Sequence, residues 1–95
     1  MTVEELRIEL EKTISILSSS GFGNIDAGTV KKLETFAVTA GELGMKEGKH
    51  LIENLSAVIK AIQEGKSQAA SGNVRLTALD FYVKKLSGSE SIEDL

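Results

Sequence analysis

The stretch that decides the fold is KEGKHLIENLSAVIKAIQE, residues 46–64 of a chain of 95 residues. Its apolar residues recur every three or four positions, and at about 100° per residue this spacing places them along one side of a helix. They are Leu51, Ile52, Leu55, Val58, Ile59 and Ile62. Gly65 follows as a natural stop. The pattern predicts an amphipathic helix whose apolar side must be buried against other helices.

Two earlier segments show the same spacing. Thr2 and Glu5 are spaced as a capping box, so we expect a first helix that begins just after Thr2 and ends in the Ser-Ser-Ser-Gly run at 18–21. Asp26 is a good N-cap for a second helix, which Gly44 ends. The predicted inward residues are Val3, Leu6, Leu10, Ile14 and Leu17 in the first helix and Val30, Leu33, Phe36, Ala37, Ala40 and Leu43 in the second.

A polar stretch at 66–73 separates the third helix from a fourth, for which Ser71 or Asn73 is the expected cap. Its inward residues are Leu76, Leu79, Tyr82, Val83 and Leu86. We expect a bundle domain over 1–87 and an acidic, flexible tail over 88–95. Because proline is absent and no segment alternates like a strand, the sequence predicts an all-α fold, an antiparallel four-helix bundle.

The composition leaves little room for catalysis. Without cysteine, and with His50 as the single histidine, the chain has no disulfide, no thiolate metal site and no imidazole cluster, so we expect neither metal nor cofactor. The Gly-x-Gly at 21–23 lacks the third glycine and the preceding strand of a nucleotide loop. The carboxylates are spread along predicted solvent sides. The chain is therefore not expected to be an enzyme.

Charge and hydropathy also limit the partners. Eleven Lys and Arg against 14 Asp and Glu do not provide the basic surface that nucleic acid or anionic membrane requires. No apolar run approaches the roughly 20 residues that span a bilayer. Met1 leads into Glu4 and Glu5 rather than into the basic and then apolar order of a signal peptide. We expect a cytoplasmic protein whose partner is another protein.

The middle of the chain contains a recognisable order of segments. An acidic cap at Asp26 is followed by a helix that ends in TAGELGM, residues 39–45, and by an amphipathic helix that closes on QEGKS, residues 63–67. In this order the segments resemble the histidine-containing phosphotransfer (HPt) domain, a four-helix bundle of two-component signalling in bacteria. That family carries its phosphorylatable His in a motif His-x-x-Lys-Gly, which is followed by small residues and Leu-Gly.

The signature positions of that family are changed in this chain. With TAGELGM aligned on the small-residue stretch, Glu34 stands at the position of the His, Ala37 at that of the Lys and Val38 at that of the Gly. A carboxylate lacks the nitrogen nucleophile that forms a labile phosphoramidate, so Glu34 does not relay phosphate. The resemblance therefore implies a degenerate HPt domain that binds the receiver domain of a response regulator without phosphotransfer.

Helix geometry points to the same side of the second helix. Glu34 lies about 110° and Val38 about 150° from the centre of the apolar stripe, and Gly41 follows one turn later. A branched aliphatic side chain is thus left in water beside an acid. With Ala37 from the alignment, the predicted partner-binding residues are Glu34, Ala37, Val38 and Gly41. The alternative is that Val38 is one of the scattered apolar residues found on most surfaces.

A second hypothesis is a bundle unrelated to phosphorelay. The apolar residues of the fourth helix spread around more of its circumference than one bundle face buries. Leu76 and Phe81, on opposite flanks, are the expected contacts in a homodimer. Four-helix bundles of this size also occur among bacteriocin immunity proteins, so self-association and partner binding of another kind both stay open.

The third hypothesis concerns His50. It projects about 145° from the centre of the third helix's apolar stripe, so it should be exposed. The spacing of His50 and Asn54 resembles that of histidine-kinase dimerisation helices, although the usual acidic neighbour is missing. As a phosphoacceptor, His50 predicts an acid-labile, base-stable label that the His50→Gln variant lacks. The alternative is a solvated surface histidine.

Overall fold

A computed structural model describes residues 1–23 and 25–93, with side chains up to Leu86. Its four helices are α1 (Val3–Ser20), α2 (Ala27–Glu42), α3 (Lys46–Gln63) and α4 (Ala69–Glu93). Each helix packs against its neighbours in the chain, and α4 closes the ring against α1. No strand occurs in these two ranges. The predicted four-helix bundle is confirmed.

The first two helices begin at the predicted caps. The backbone N–H of Glu5 donates to Thr2 Oγ1 at 3.1 Å, and the N–H of Thr2 donates to Glu5 Oε1 at 2.8 Å, which completes the capping box. Asp26 Oδ1 accepts from the N–H of Thr29 at 2.8 Å. These short-range bonds satisfy N–H groups that the first helical turn leaves free.

Glycine ends the second and third helices as predicted. Gly44 and Gly65 follow α2 and α3 with φ angles of 80° and 77°. In this left-handed region a Cβ atom meets the backbone, so glycine is favoured. The chain can therefore reverse direction within a few residues, which sets α2 against α3 and α3 against α4.

The fourth helix begins earlier than predicted. It starts at Ala69, so Ser71 and Asn73 lie inside the helix rather than at its cap. Gly72 allows this small, polar segment to pack closely against the rest of the bundle. A Cβ at Gly72 would lie only 2.9 Å from Ile62 Cδ1 and from Phe22 Cζ, so its absence lets α4 approach closely. The helix also continues past Leu86. The predicted tail at 88–95 lies outside the residues with described side chains and stays a prediction.

The core largely follows the predicted stripes. Val3 is an exception at 41% exposed, because the inward side of α1 begins one turn later at Leu6. Leu76 is buried, as its place in the predicted stripe of α4 implies, so its other predicted role, as a contact in a homodimer, is wrong. The buried apolar residues are Leu6, Leu10, Ile14, Leu17, Phe22, Ile25, Val30, Leu33, Phe36, Ala37, Ala40, Met45, Ile52, Leu55, Ile59, Leu76, Leu79 and Val83. Within the described ranges, every helix is too short or too polar to cross a bilayer.

Candidate protein-binding surface

Two of the predicted site residues lie on the outward side of α2. Leu33, Phe36 and Ala40 turn inward and are buried. Because successive residues are about 100° apart around a helix, Glu34 and Val38 then face outward, one turn apart. Val38 is 59% exposed. The prediction that this valine faces water is confirmed.

A groove of about 380 Å³ lies between α2 and α3, with Glu34 and Val38 among its walls. We call it the α2/α3 groove, and it is lined by Glu34, Ala37, Val38, Glu53, Ser56, Ala57 and Lys60. Ala37 and Ser56 are buried, so they form its floor. Three of the lining side chains are Ala or Ser, and their small size leaves space between the two helices.

The role expected of Ala37 needs correction. Its side chain is only 3% exposed, because it belongs to the inward stripe of α2. It offers no projecting surface to a partner, as Glu34 and Val38 do. Its contribution is a small side chain that keeps the groove open at the bottom.

An ion pair joins the two helices at the groove. Lys60 Nζ of α3 donates to Glu34 Oε2 at 2.5 Å, and the two side chains are 51% and 48% exposed. The charge of Glu34 is therefore balanced, whereas the sequence suggested an acid free to meet a partner. Such an exposed pair adds little to the free energy of unfolding. It does present both signs of charge beside Val38.

Sequence reasoning missed the pairing of Lys60 with Glu34. Lys60 falls outside the apolar stripe of α3, and that was the available signal in the sequence. Which outward residue of α2 faces it depends on how far the two helices slide along each other. A single sequence does not give that register.

Gly41 lies beyond the α2/α3 groove. A Cβ at Gly41 would lie 3.1 Å from Lys49 Cδ, so the aliphatic part of the lysine passes over this position. Lys49 Nζ is 3.4 Å from Glu53 Oε2. The structure thus brings Glu34, Val38 and the floor residue Ala37 together in the groove, whereas Gly41 lies outside the groove lining and next to Lys49.

His50 lies on the outer side of α3, as predicted, and its side chain is 75% exposed. Its Nδ1 is 3.8 Å from Glu53 Oε1. Phosphorylation of His50 stays a prediction. In the part of the chain that the structure describes, no three His, Cys, Asp or Glu side chains converge as metal ligands.

The two residues predicted for self-association separate. Leu76 is 7% exposed and cannot contact another chain, because the inward side of α4 includes Leu76, Leu79 and Val83. Phe81 is 65% exposed, and Lys85 Nζ lies 5.7 Å from its ring centroid. Val74, two turns earlier on the same side, is also 65% exposed and was not singled out from the sequence.

In comparisons with protein-family models, curated proteins and solved structures, the chain has no match, so membership of the HPt family stays a prediction.

Proposed function

We propose that the chain is a non-catalytic, HPt-like interaction module that binds the receiver domain of a response regulator through the α2/α3 groove, without phosphotransfer. The observation that carries this proposal is the exposed Val38 beside a groove with a small-residue floor. Protein interfaces place apolar contacts at the centre and polar groups at the rim. The groove offers both kinds of group, with Val38 and two alanines beside Glu34, Glu53 and Lys60.

The polar groups around Val38 support binding of a charged partner. Glu34 and Lys60 lie at one part of the groove and Glu53 at another. Both members of the Glu34 and Lys60 pair are about half exposed, so each still has room for a further hydrogen bond. A partner that carries both an acid and a base can match this pair, and charge matching of this kind sets orientation and specificity.

Phosphotransfer is left out of the proposal for a chemical reason. The residue at the position of the family's His is Glu34, whose carboxylate cannot form a phosphoramidate. Incubation with a phosphorylated receiver domain is therefore expected to leave no label on Glu34. Stable label at Glu34 would contradict the non-catalytic part of the proposal.

The binding test compares two exposed valines. Calorimetry with the receiver domains of the source organism should find one that binds the wild-type protein. Val38→Asp should weaken that binding at least about tenfold, since it places a second acid beside Glu34. Val74→Asp, at a similarly exposed position on α4, should bind like the wild type.

Both variants should keep the wild-type free energy of unfolding within about 0.5 kcal/mol, because neither valine is in the core. Denaturant unfolding provides this control. Two results would contradict the proposal: no measurable binding to any of the receiver domains, or equal binding by Val38→Asp and the wild type.

A further inference from the structure

A larger groove, of about 730 Å³, lies between the first half of α1 and α2. We call it the α1/α2 groove. It shares no lining residue with the α2/α3 groove. Among the pairs of neighbouring helices, α1 and α2 have the smallest contact. The bundle thus leaves part of this face of α1 uncovered.

The floor of the α1/α2 groove is apolar. Phe36, nearly buried, lies at its base, and Ile8 and Met1 are 39% and 61% exposed beside it. Burial of such side chains against a second surface is favourable because it removes apolar area from water. The apolar floor alone does not identify the surface that covers it. The charges along the walls of the groove identify it.

The two walls carry opposite charge. Glu5 and Glu9 line the α1 side and Lys31 and Lys32 line the α2 side. Glu5 caps the start of α1, and Glu9 Oε2 is 3.6 Å from Lys12 Nζ. Within the described part of the chain, neither Lys31 nor Lys32 forms an ion pair. The acidic and basic walls therefore face each other without pairing across the groove.

We infer that the α1/α2 groove is covered by a second copy of this chain, in a two-fold symmetric dimer whose axis runs parallel to the groove. Rotation by 180° about that axis places the acidic wall of each copy opposite the basic wall of the other. The contact is then self-complementary, as a two-fold interface requires. A two-fold axis that lies in the interface but runs perpendicular to the groove would instead place the two acidic walls opposite each other, and likewise the two basic walls.

This charge pattern selects one orientation of the copies. Glu5 and Glu9 of one copy meet Lys31 and Lys32 of the other, while Ile8 and Met1 of both copies are buried between them. The interface differs from the one expected from the sequence, which was to involve Leu76 and Phe81 on α4. It is also independent of receiver binding, because Val38 and Glu34 lie in the other groove.

The test is a charge exchange, followed by light scattering on the full chain up to millimolar concentration. The wild type should form a dimer within this concentration range. Glu9→Lys and Lys32→Glu should each raise the dimer dissociation constant about tenfold or more, because each places like charges opposite one another. The double variant should return to the wild-type value. Lys46→Glu, an exposed change on α3, is the matched control and should leave the constant unchanged.

Two further variants separate this dimer from the alternatives. Phe81→Ser should leave the dimer intact, and circular dichroism should show wild-type helix content in every variant. The inference is overturned if the wild type is monomeric throughout the range, if Phe81→Ser dissociates the dimer, or if the double variant does not recover. None of these results depends on whether a receiver domain binds.

Discussion

Asp26 is the residue on which the start of α2 depends. Its carboxylate accepts hydrogen bonds from the backbone N–H of Thr29 at 2.8 Å and from the Thr29 hydroxyl at 3.0 Å. These two bonds, the backbone one foremost, lower the pKa of Asp26 from its ordinary value of 3.8. Because the ionised form is the better acceptor, folding favours loss of the proton.

The sign of the resulting pH dependence follows from that shift. A carboxylate with a lowered pKa in the folded state stabilises the protein above its unfolded pKa, and this stabilisation is lost as pH falls through the folded pKa. We therefore expect wild-type stability to decrease below about pH 4, partly through Asp26. Asp26→Asn keeps a good cap that does not titrate, so it should unfold like the wild type at neutral pH and lose less stability in acid.

Thermal unfolding at neutral pH and in acid measures this difference. Asp26→Ala removes the cap altogether and should be less stable than Asp26→Asn at neutral pH. An Asp26→Asn variant with the full wild-type loss in acid would show that the Asp26 carboxylate does not contribute to it.

At the scale of the element, the orientation of α4 decides which apolar residues are structural. Leu76 lies in the core at 7% exposure, whereas Phe81 is 65% exposed. Leu76→Ala should therefore lower the free energy of unfolding by about 2 to 4 kcal/mol through lost burial and a cavity. Phe81→Ala should lower it by less than about 1 kcal/mol, since most of the Phe81 side chain is already exposed to water.

Urea unfolding of the two variants measures both losses in the free energy of unfolding. Phe81→Ala removes more atoms than Leu76→Ala and serves as its control. Equal losses, or a larger loss for Phe81→Ala, would mean that α4 is rotated about its axis relative to this structure.

The elements also differ in how far sequence predicted them. The starts of α1 and α2 and the ends of α2 and α3 depend on caps and glycines within a few residues, so Thr2, Asp26 and Gly44 were sufficient. The first turn of α4 packs closely through Gly72 against Phe22 and Ile62, and a local pattern does not reveal such a contact between elements. The local sequence pattern therefore predicted a loop at the start of α4, whereas close packing allows a helix there.

At the scale of the whole molecule, the same distinction applies to the candidate site. The exposure of Val38 follows from the angle per residue within one helix, and it was predicted. The pairing of Glu34 with Lys60 and the floor at Ala37 and Ser56 require the register between α2 and α3. That register results from the packing of all four helices, so the pattern within a single helix could not predict the groove.

Packing of the whole bundle also determines how the molecule responds to alkali, through Tyr82 on α4. Its ring lies against α3, where a Cβ at Gly48 would be 2.9 Å from Tyr82 Cε2. Burial, and then the charge of Glu47, raise the pKa of Tyr82 above its ordinary value of 10.0, and a hydrogen bond with the Gly48 backbone opposes them in part. Lys85 carries the opposite charge and lines a groove between α3 and α4 together with Glu47 and Tyr82.

A raised folded pKa gives a contribution that is fully present below the unfolded pKa and is lost as pH rises through the folded pKa. Wild-type stability should therefore decrease above about pH 10, where the unfolded phenol ionises more readily than the folded one. Tyr82→Phe cannot ionise, so its unfolding midpoint should decrease less over the same range. Lysine deprotonation affects both proteins alike and cancels in the comparison. Parallel curves for the wild type and Tyr82→Phe would show that contact with α3 does not hold Tyr82 in its neutral form.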